Sequence, residues 1–265
     1  MCTRLEKLRE LGAASIEFSG GEPLLHPRLV DLVAFASRLA FFKRMLISNG
    51  FLLTERMIDA LNRAGLTDLQ VSVDGVEPNG VTIKTLKALR RKLERLARLA
   101  AFRVTVNAVV GSAPPDEVRE VVRFARERNF RVTVGLIHDE RGRIKLDEEQ
   151  RRLYRELKRG VRLSFRPGSG SIAPLLRGEP APFKCRAGAR YLYVDEAGRV
   201  HYCSQRRNSF SKDLMSYGPR DLQEQFATAK PCSCFCTIGC VRTASALDRW
   251  RPQAGYSATA AACRS

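Results

Sequence analysis

Two kinds of hydrophobic pattern alternate along the first 165 residues, and this alternation constrains the fold more than any other feature. Short β-branched runs, typical of buried strands, end in small or polar residues and are followed by stretches with helical periodicity. The predicted strands are residues 14–19, 44–48, 69–74, 102–110 and 131–137, with a weaker one at 161–165. The predicted helices are residues 27–39, 54–64, 82–99, 115–128 and 147–159. Such alternation predicts an α/β fold with a parallel sheet, open or curled into a barrel, that binds ligands at the carboxyl ends of its strands.

The chain opens on a helix instead of a strand. Residues 2–11 read as an amphipathic helix, with Leu5, Leu8 and Leu11 on one side and Arg and Lys on the other. A parallel barrel without a first strand would leave an open edge, which folded proteins usually avoid. We therefore expect that upstream residues are missing from this sequence.

A second, smaller unit follows the alternating region. Residues 1–165 are expected to form one domain, residues 166–182 a linker rich in Pro, Gly and Ser, and residues 183–265 a cysteine-rich domain. Within the latter, two alternating runs flank the turn at Asp195–Gly198, which predicts a β-hairpin.

Charge and hydropathy narrow the functional classes only partly. Lys and Arg outnumber Asp and Glu by 46 to 28, a formal net charge of +18 that permits an anionic partner. The Arg residues are spread along the whole chain, so nucleic acid is a possible partner but not a favoured one. No apolar run approaches the roughly 18 residues of a membrane span, and no signal core is present, so we expect a cytoplasmic protein.

Small and polar residues stand where the predicted parallel strands end. The strongest local pattern is Gly20-Gly21-Glu22-Pro23, in which two glycines let the backbone approach a ligand closely and Glu22 supplies a carboxylate. Further strands end in polar or apolar groups that could line one cleft and contact a nucleoside. These candidate positions are Asn49, Ser72, Asp74, Asn107 and Leu136.

Six of the eight cysteines fall within 56 residues, which indicates a local metal or iron–sulfur site. Cys185 precedes the predicted hairpin and Cys203 ends it, so both thiolates can face one ion or cluster. Cys232, Cys236 and Cys240 recur at four-residue spacing, close enough for two or three of them to bind at the same site. Zinc remains a competitor, because four thiolates could form a ribbon-like site.

The strand-end motifs resemble those of the radical S-adenosylmethionine (SAM) enzymes. FSGGEPLLHPRL, ISNG and VSVDG follow successive strands in that family's order, over about residues 1–140. The resemblance implies a partial (β/α)6 barrel and SAM as cofactor, with Gly20, Gly21, Glu22 and Pro23 at the methionyl amino group. More loosely, Ser72 and Asp74 fall near the family's ribose-contacting strand, Asn107 on the next strand and Leu136 near the adenine-contacting strand.

One departure from the family pattern concerns the catalytic cluster. The family binds its catalytic 4Fe-4S cluster with C-x3-C-x2-C after the first strand, and this sequence contains no such motif. Cys2 stands alone on the first predicted helix and cannot replace it. We expect an N-terminally truncated sequence that, as written, does not cleave SAM reductively; no catalytic residue is assigned.

The cysteine-rich region resembles the SPASM and twitch auxiliary-cluster domains of radical SAM enzymes. Their opening pattern is matched by Cys185, Gly198 and Cys203, whereas of the later SPASM cysteines only the Cys236-x3-Cys240 spacing fits. The resemblance implies one auxiliary 4Fe-4S cluster on these four cysteines, with Cys232 as a substitute ligand and Cys234 and Cys263 spare.

For function, the resemblance implies a 5'-deoxyadenosyl radical that abstracts hydrogen from a peptide or small molecule. A flavodoxin or ferredoxin would supply electrons, and the auxiliary cluster would accept an electron or hold substrate. His138 and Asp139 are candidate substrate contacts, and His201 could support Cys203. The alternatives are a zinc-ribbon nucleic-acid-binding protein and a non-catalytic radical SAM remnant.

Overall fold

A computed structural model describes residues 1–138, 144, 146–160 and 172–246. These residues belong to two compact units. The first unit contains residues 1–137 and 146–160, and the second contains His138, Ile144 and residues 172–246. The weaker predicted strand at 161–165, Asp139 and Cys263 lie outside the described residues.

The described part of the first unit is built on a five-stranded parallel sheet in sequential order. Its strands are β1 (Ser15–Phe18), β2 (Lys43–Ser48), β3 (Asp68–Ser72), β4 (Arg103–Val110) and β5 (Arg131–Leu136). Each strand pairs with the next in parallel register, from Phe18 opposite Leu46 to Val110 opposite Leu136. This confirms the predicted α/β fold, and an open sheet of this kind is a partial barrel.

Helices connect the strands. They are α1 (Cys2–Glu10), α2 (Leu29–Arg38), α3 (Glu55–Arg63), α4 (Leu86–Leu99), α5 (Pro115–Glu127) and α6 (Glu148–Gly160). Helix α4 shows why they form, because its fully buried leucines recur at helical spacing: Leu86, Leu89, Leu93 and Leu96. Helix α3 begins where the Thr54 hydroxyl accepts a hydrogen bond from the Met57 N–H.

The two faces of the sheet differ in character. Side chains alternate between faces along a strand, and one set is apolar and buried. This set includes Leu46, Leu69, Val71, Val106 and Val110. The opposite set carries polar side chains on the central strands, namely Gln70, Ser72, Thr105, Asn107 and Thr133. The polar face is therefore the one on which the sheet can meet a polar ligand.

Helix α4 begins four residues later than its sequence pattern predicts. The predicted start is Thr82, whereas the helix begins at Leu86 after Thr85. The intervening residues are held against the end of β3, because the Asp74 N–H donates to the Lys84 carbonyl and Gly75 bridges to Thr85. These contacts to the end of β3 compete with helix formation.

The second unit contains short elements. They are α7 (Ala173–Leu176), β6 (Tyr193–Val194), β7 (Arg199–His201), β8 (Lys212–Asp213), α8 (Pro219–Ala227) and α9 (Gly239–Ala246). The predicted hairpin is present as the antiparallel pair β6–β7, and β8 adds a third strand. Gly198 closes the turn with a φ of 89°, a left-handed conformation that favours glycine.

None of the helices in the described ranges combines the length and the apolar character that crossing a bilayer requires.

Candidate cofactor and cluster sites

The loop after β1 presents an open stretch of backbone. Gly20 has a φ of 137°, and a Cβ atom on Gly20 or Gly21 would meet nothing within 4 Å. Within the described ranges, the N–H groups of these two glycines have no hydrogen-bond partner. Pro23 then starts a 3-10 turn over Pro23–Leu25. The loop can therefore approach a ligand closely and offer it backbone donors.

Glu22 fixes this loop to the end of the neighbouring strand. Its carboxylate accepts hydrogen bonds from the Ser48 hydroxyl (2.9 Å) and the Asn49 N–H (2.7 Å) at the end of β2. The Leu24 N–H donates to the same carboxylate at 3.0 Å. The Asn49 side chain is also committed locally, because its Oδ1 accepts from the Phe51 N–H. The Glu22 carboxylate thus holds the glycine backbone in place through hydrogen bonds to other parts of the protein.

Three polar side chains form one row across the polar face of the sheet. The strand register places Ser72 opposite Asn107, and Asn107 opposite Thr133. The Thr133 hydroxyl donates to Asn107 Oδ1 at 3.0 Å, which orients the amide. Next along β5, Gly135 leaves space beside this amide, since a Cβ there would lie 3.3 Å from Asn107 Nδ2. This row can offer hydroxyl and amide groups to a ribose.

Asp74 follows the end of β3, two residues after Ser72, and is buried. Its Oδ2 accepts from the Thr82 hydroxyl (2.9 Å) and pairs with the Lys84 ammonium (2.8 Å). Its Oδ1 is buried and has no hydrogen-bond partner in the described part of the chain. As placed here, Asp74 fastens the loop that precedes α4.

Leu136 shares a face with the buried side chains of β5. It stands opposite Val110, which is fully buried on the apolar face. By alternation it points away from the face that carries Thr133 and Asn107. Sequence reasoning did not single out Thr133, although a polar residue at every second position of the neighbouring strand was the available signal.

Three cysteines of the second unit share one local arrangement. The sulfur of each accepts a hydrogen bond from the backbone N–H two residues further on. These pairs are Cys185 with Ala187, Cys203 with Gln205 and Cys236 with Ile238. The Arg206 N–H, which donates to the Cys203 carbonyl at 3.1 Å, also lowers the pKa of the Cys203 thiol. Hydrogen bonds of this kind stabilise a thiolate, which is the form that binds iron or zinc.

Burial and mutual repulsion oppose ionisation of the same thiols. Burial raises the pKa of Cys185 to about 11 and that of Cys236 to about 12, and it raises the pKa of Cys203. The neighbouring thiolates raise these pKa values further, and Cys232 contributes to the effect on Cys185 and on Cys203. Four thiols therefore lie within electrostatic range, and cationic iron or zinc would displace their protons.

The later cysteines have different environments. Cys232 is half-buried, whereas Cys240 is exposed at the start of α9. Cys234 is disulfide-bonded, so it is not a free thiol. Within the described ranges, no three His, Cys, Asp or Glu side chains converge closely enough to bind one metal ion. A cluster of several irons is wider than a single zinc ion and suits thiols that are grouped but not converged on one point.

His201 belongs to a buried hydrogen-bond network beside Cys203. Its Nε2 lies 2.7 Å from the Asp195 carboxylate, and its Nδ1 lies 2.8 Å from the Arg207 carbonyl. Burial lowers the pKa of His201, but these acceptors outweigh burial and raise it above the ordinary value. With an acceptor at each nitrogen, the ring fixes the hairpin to the loop after Cys203. His138 lies in the second unit, bridged to Ile144.

The parallel sheet, its open glycine loop and the grouped thiols are the features expected of a protein that binds a nucleoside-type cofactor and a metal cluster. Comparison with protein families assigns residues 3–142 to the radical SAM superfamily. This stretch exceeds half of the chain, so the protein belongs to that superfamily of enzymes, whose cofactors are SAM and an iron–sulfur cluster.

Individual proteins show where the similarity extends. The PqqA peptide cyclase of Gluconobacter oxydans is 32% identical over 217 residues, which cover 75% of this chain and 59% of that protein. That of Xanthomonas campestris pv. campestris is 33% identical over 127 residues, covering 46% of this chain and 34% of that protein. The chain thus spans about 59% of the length of the former.

Solved structures agree on the fold. SuiB of Streptococcus suis bound to SAM superposes with a TM-score of 0.64 at 15% identity, covering 84% of this chain and 58% of SuiB. SuiB bound to the precursor peptide SuiA gives the same TM-score at 16% identity, and this match covers 88% of this chain and 62% of SuiB. The likeness extends beyond the superfamily region, because it covers more of the chain than residues 3–142.

Proposed function

We propose that this protein is a radical SAM enzyme that modifies a peptide and carries an auxiliary iron–sulfur cluster in its second unit. One observation carries most weight: Glu22 anchors an open Gly-Gly backbone, which follows β1, to the end of β2. The similarity to a PqqA peptide cyclase covers 75% of the chain, and this supports a peptide as substrate.

The glycine loop is proposed to bind the methionyl amino and carboxylate groups of SAM. The unpaired N–H groups of Gly20 and Gly21 can donate to a carboxylate, and the adjoining carbonyls can accept from an ammonium group. Glu22 contributes by position, since its carboxylate keeps the loop against β2. Pro23 limits the loop further, because its φ is fixed.

The polar row is proposed to bind the nucleoside. Ser72 and Thr133 offer hydroxyls, and Asn107 offers an amide whose orientation Thr133 fixes. Gly135 leaves room for a flat group beside that amide. In a form of the protein that carries the C-x3-C-x2-C cysteines absent from this sequence, bound SAM would supply the radical that abstracts hydrogen. Asp74 and Leu136 remain predicted contacts that would need the loop or strand end to shift, given their burial and direction.

The auxiliary cluster is proposed to use Cys185, Cys203 and Cys236 as ligands, because each thiol already accepts a backbone N–H. Cys232 is favoured as the fourth ligand, because its charge raises the pKa of both Cys185 and Cys203. Cys240 is the alternative. A low-potential electron donor such as a flavodoxin or ferredoxin is the expected partner.

SAM binding by the anaerobically iron-loaded chain tests the first part. Equilibrium dialysis with labelled SAM should give one site per chain. The variant Glu22→Gln should bind SAM at least tenfold more weakly, because its amide NH2 group would face donors from which the Glu22 carboxylate now accepts hydrogen bonds. Glu10→Gln is the matched control, since Glu10 is exposed and pairs only with Lys7 in the described structure. Equal affinity in both variants, or no SAM binding by the wild type, would contradict the proposal.

A second experiment tests the cluster and the substrate class. The wild type should bind iron and sulfide with broad absorption near 400 nm, and labelled PqqA peptide of Gluconobacter oxydans should bind with rising anisotropy. Stoichiometric zinc in a colourless protein would refute the cluster. If the protein binds SAM but not the peptide, the proposed peptide substrate is refuted and the family assignment still holds.

A further inference from the structure

Lys230 is a buried cation next to the grouped thiols. It directly precedes the 3-10 turn Pro231–Phe235, which carries Cys232, and it is only 3% exposed. Its ammonium donates to the Gln225 carbonyl and, at 3.1 Å, to the Thr228 carbonyl. These carbonyls belong to the end of α8, where the helix dipole favours a positive charge.

Across the described residues, no carboxylate lies within ion-pair distance of this ammonium. The Tyr202 ring lies 5.0 Å from Nζ and offers only its electron-rich face. Burying an ammonium group without an opposite charge is costly. The charged groups within electrostatic range of the ammonium are the thiols of Cys185 and Cys232 and the cations of Arg186 and Lys184.

We propose that the Lys230 ammonium is the counter-charge of the auxiliary cluster and raises its reduction potential. The inference rests on the cluster part of the proposed function. Reduction adds one electron from an external low-potential donor and makes or breaks no bond, so its main effect is one more negative charge. A fixed positive charge in a poorly solvated site stabilises that charge, and the net charge of the surroundings is a known determinant of cluster potentials.

Two buried arginines flank the same region but are held differently. Arg186 stacks 3.4 Å from the Phe226 ring and donates to the Phe226 carbonyl. Arg242 lies 4.5 Å from the Phe183 ring and donates to the Cys236 carbonyl at 3.1 Å. Both arginines remain in the variants below, which therefore remove one positive charge and leave these two in place.

A redox titration of the auxiliary cluster, followed by electron paramagnetic resonance with dithionite as reductant at pH 7, tests the proposal. Lys230→Met and Lys230→Gln remove the charge, and Gln retains a donor for the carbonyls. Both should lower the equilibrium constant for reduction at least tenfold, a potential about 59 mV more negative for one electron. Lys230→Arg keeps the charge and should stay within about twofold of wild type.

Lys212→Met is the matched control, because Lys212 lies in the same unit but its charge is balanced by Asp221 at 2.6 Å. Its potential should equal that of the wild type. Unchanged potentials in both neutral Lys230 variants would overturn the proposal. Loss of both helix content and bound iron in these variants would also overturn it, because Lys230 would then act only as a helix cap. A wild type that binds no iron would instead refute the proposed function.

Discussion

Glu22 illustrates how a single side chain can hold the backbone of a proposed binding loop in place. A carboxylate has about four acceptor positions. Glu22 uses three of them on the hydroxyl of Ser48 and the N–H groups of Leu24 and Asn49. The glycine backbone therefore gains a fixed position, and fixed donors bind a ligand at lower entropic cost than mobile ones.

Gly135 provides a test of the polar row at the scale of one methyl group. Its φ lies outside the left-handed region, so the backbone accepts alanine there. The added Cβ would lie 3.3 Å from Asn107 Nδ2 and from Val109 Cγ2, which forces the amide to move. We expect Gly135→Ala to weaken SAM binding about tenfold while changing stability by less than about 1 kcal/mol. Dialysis and urea unfolding would measure the two effects.

Gly80→Ala serves as the companion control, since its new Cβ would meet nothing within 4 Å. Its SAM affinity should match the wild type. Full SAM affinity in Gly135→Ala would show that the amide of Asn107 does not contact the cofactor.

At this scale the sequence predicts residue types better than it predicts their partners. The Gly20-Gly21 loop follows the end of β1 as its pattern predicts, whereas Asn107 lies inside β4, three residues before its end. The direction of a side chain depends on contacts distant in sequence. Asp74 is buried because Thr82 and Lys84 fold back onto it. No local pattern specifies that return.

Among the elements, strands β3 and β4 are joined by a side-chain pair as well as by their backbone. Arg103 donates two hydrogen bonds of 2.9 Å to the Asp68 carboxylate, and the Thr67 hydroxyl adds one at 2.7 Å. Burial raises the pKa of Asp68, but these hydrogen bonds outweigh burial and hold it below the ordinary value. The pair therefore stabilises the first unit only while Asp68 is ionised.

Asp68→Asn should lower the free energy of unfolding by about 1–2 kcal/mol at pH 7, toward the lower range because Arg103 is half exposed. A lowered folded-state pKa contributes stability above the unfolded value of about 3.9, and this is lost as pH falls through the folded value. The difference between wild type and variant in urea unfolding should thus shrink from about pH 5 downward. A difference that grows in acid would contradict this assignment.

Helix α8 packs against a glycine that has no space for a side chain. Gly188 has a φ of 82°, and its Cβ would lie 2.9 Å from Gln225 Cβ. Gly188→Ala should destabilise the second unit by about 2–4 kcal/mol, combining backbone strain and overpacking. Gly178→Ala is matched in backbone, with a φ of 78°, but meets nothing within 4 Å. Gly178→Ala should lower the free energy of unfolding by only about 1 kcal/mol, measured by thermal unfolding. Equal losses of stability in Gly178→Ala and Gly188→Ala would exclude the packing contribution.

Element positions follow the sequence where periodicity is strong. Strand β4 and helix α5 each lie within one residue of the predicted ends, because a long amphipathic pattern sets both. In the second unit, β8 and α8 were not predicted. Strand β8 has only two residues, too few to carry a period, and it forms because the hairpin offers it an edge.

For the whole molecule, the two units differ in what stabilises them. The first contains long buried helices and strands, whereas β6 and β8 in the second have two residues each. A small unit of this kind usually needs a metal or covalent link for stability. We therefore expect the second unit to depend on its cluster and the first to be independent of it.

Differential scanning calorimetry should show this dependence. Removing iron with a chelator under reducing conditions should lower the midpoint of one thermal transition by several degrees, while added SAM raises the midpoint of the other. The reason is that each ligand stabilises only the unit that binds it. One transition that responds to both treatments would show that the units unfold together.

The turns around the three cysteines carry a consequence for the evolution of this sequence. Each thiol is stabilised by the N–H of the residue two places later, and proline has no N–H. Proline should therefore be excluded at Ala187, Gln205 and Ile238 in homologues that keep the cysteines. It should become tolerated there only in lineages that have lost the corresponding cysteine.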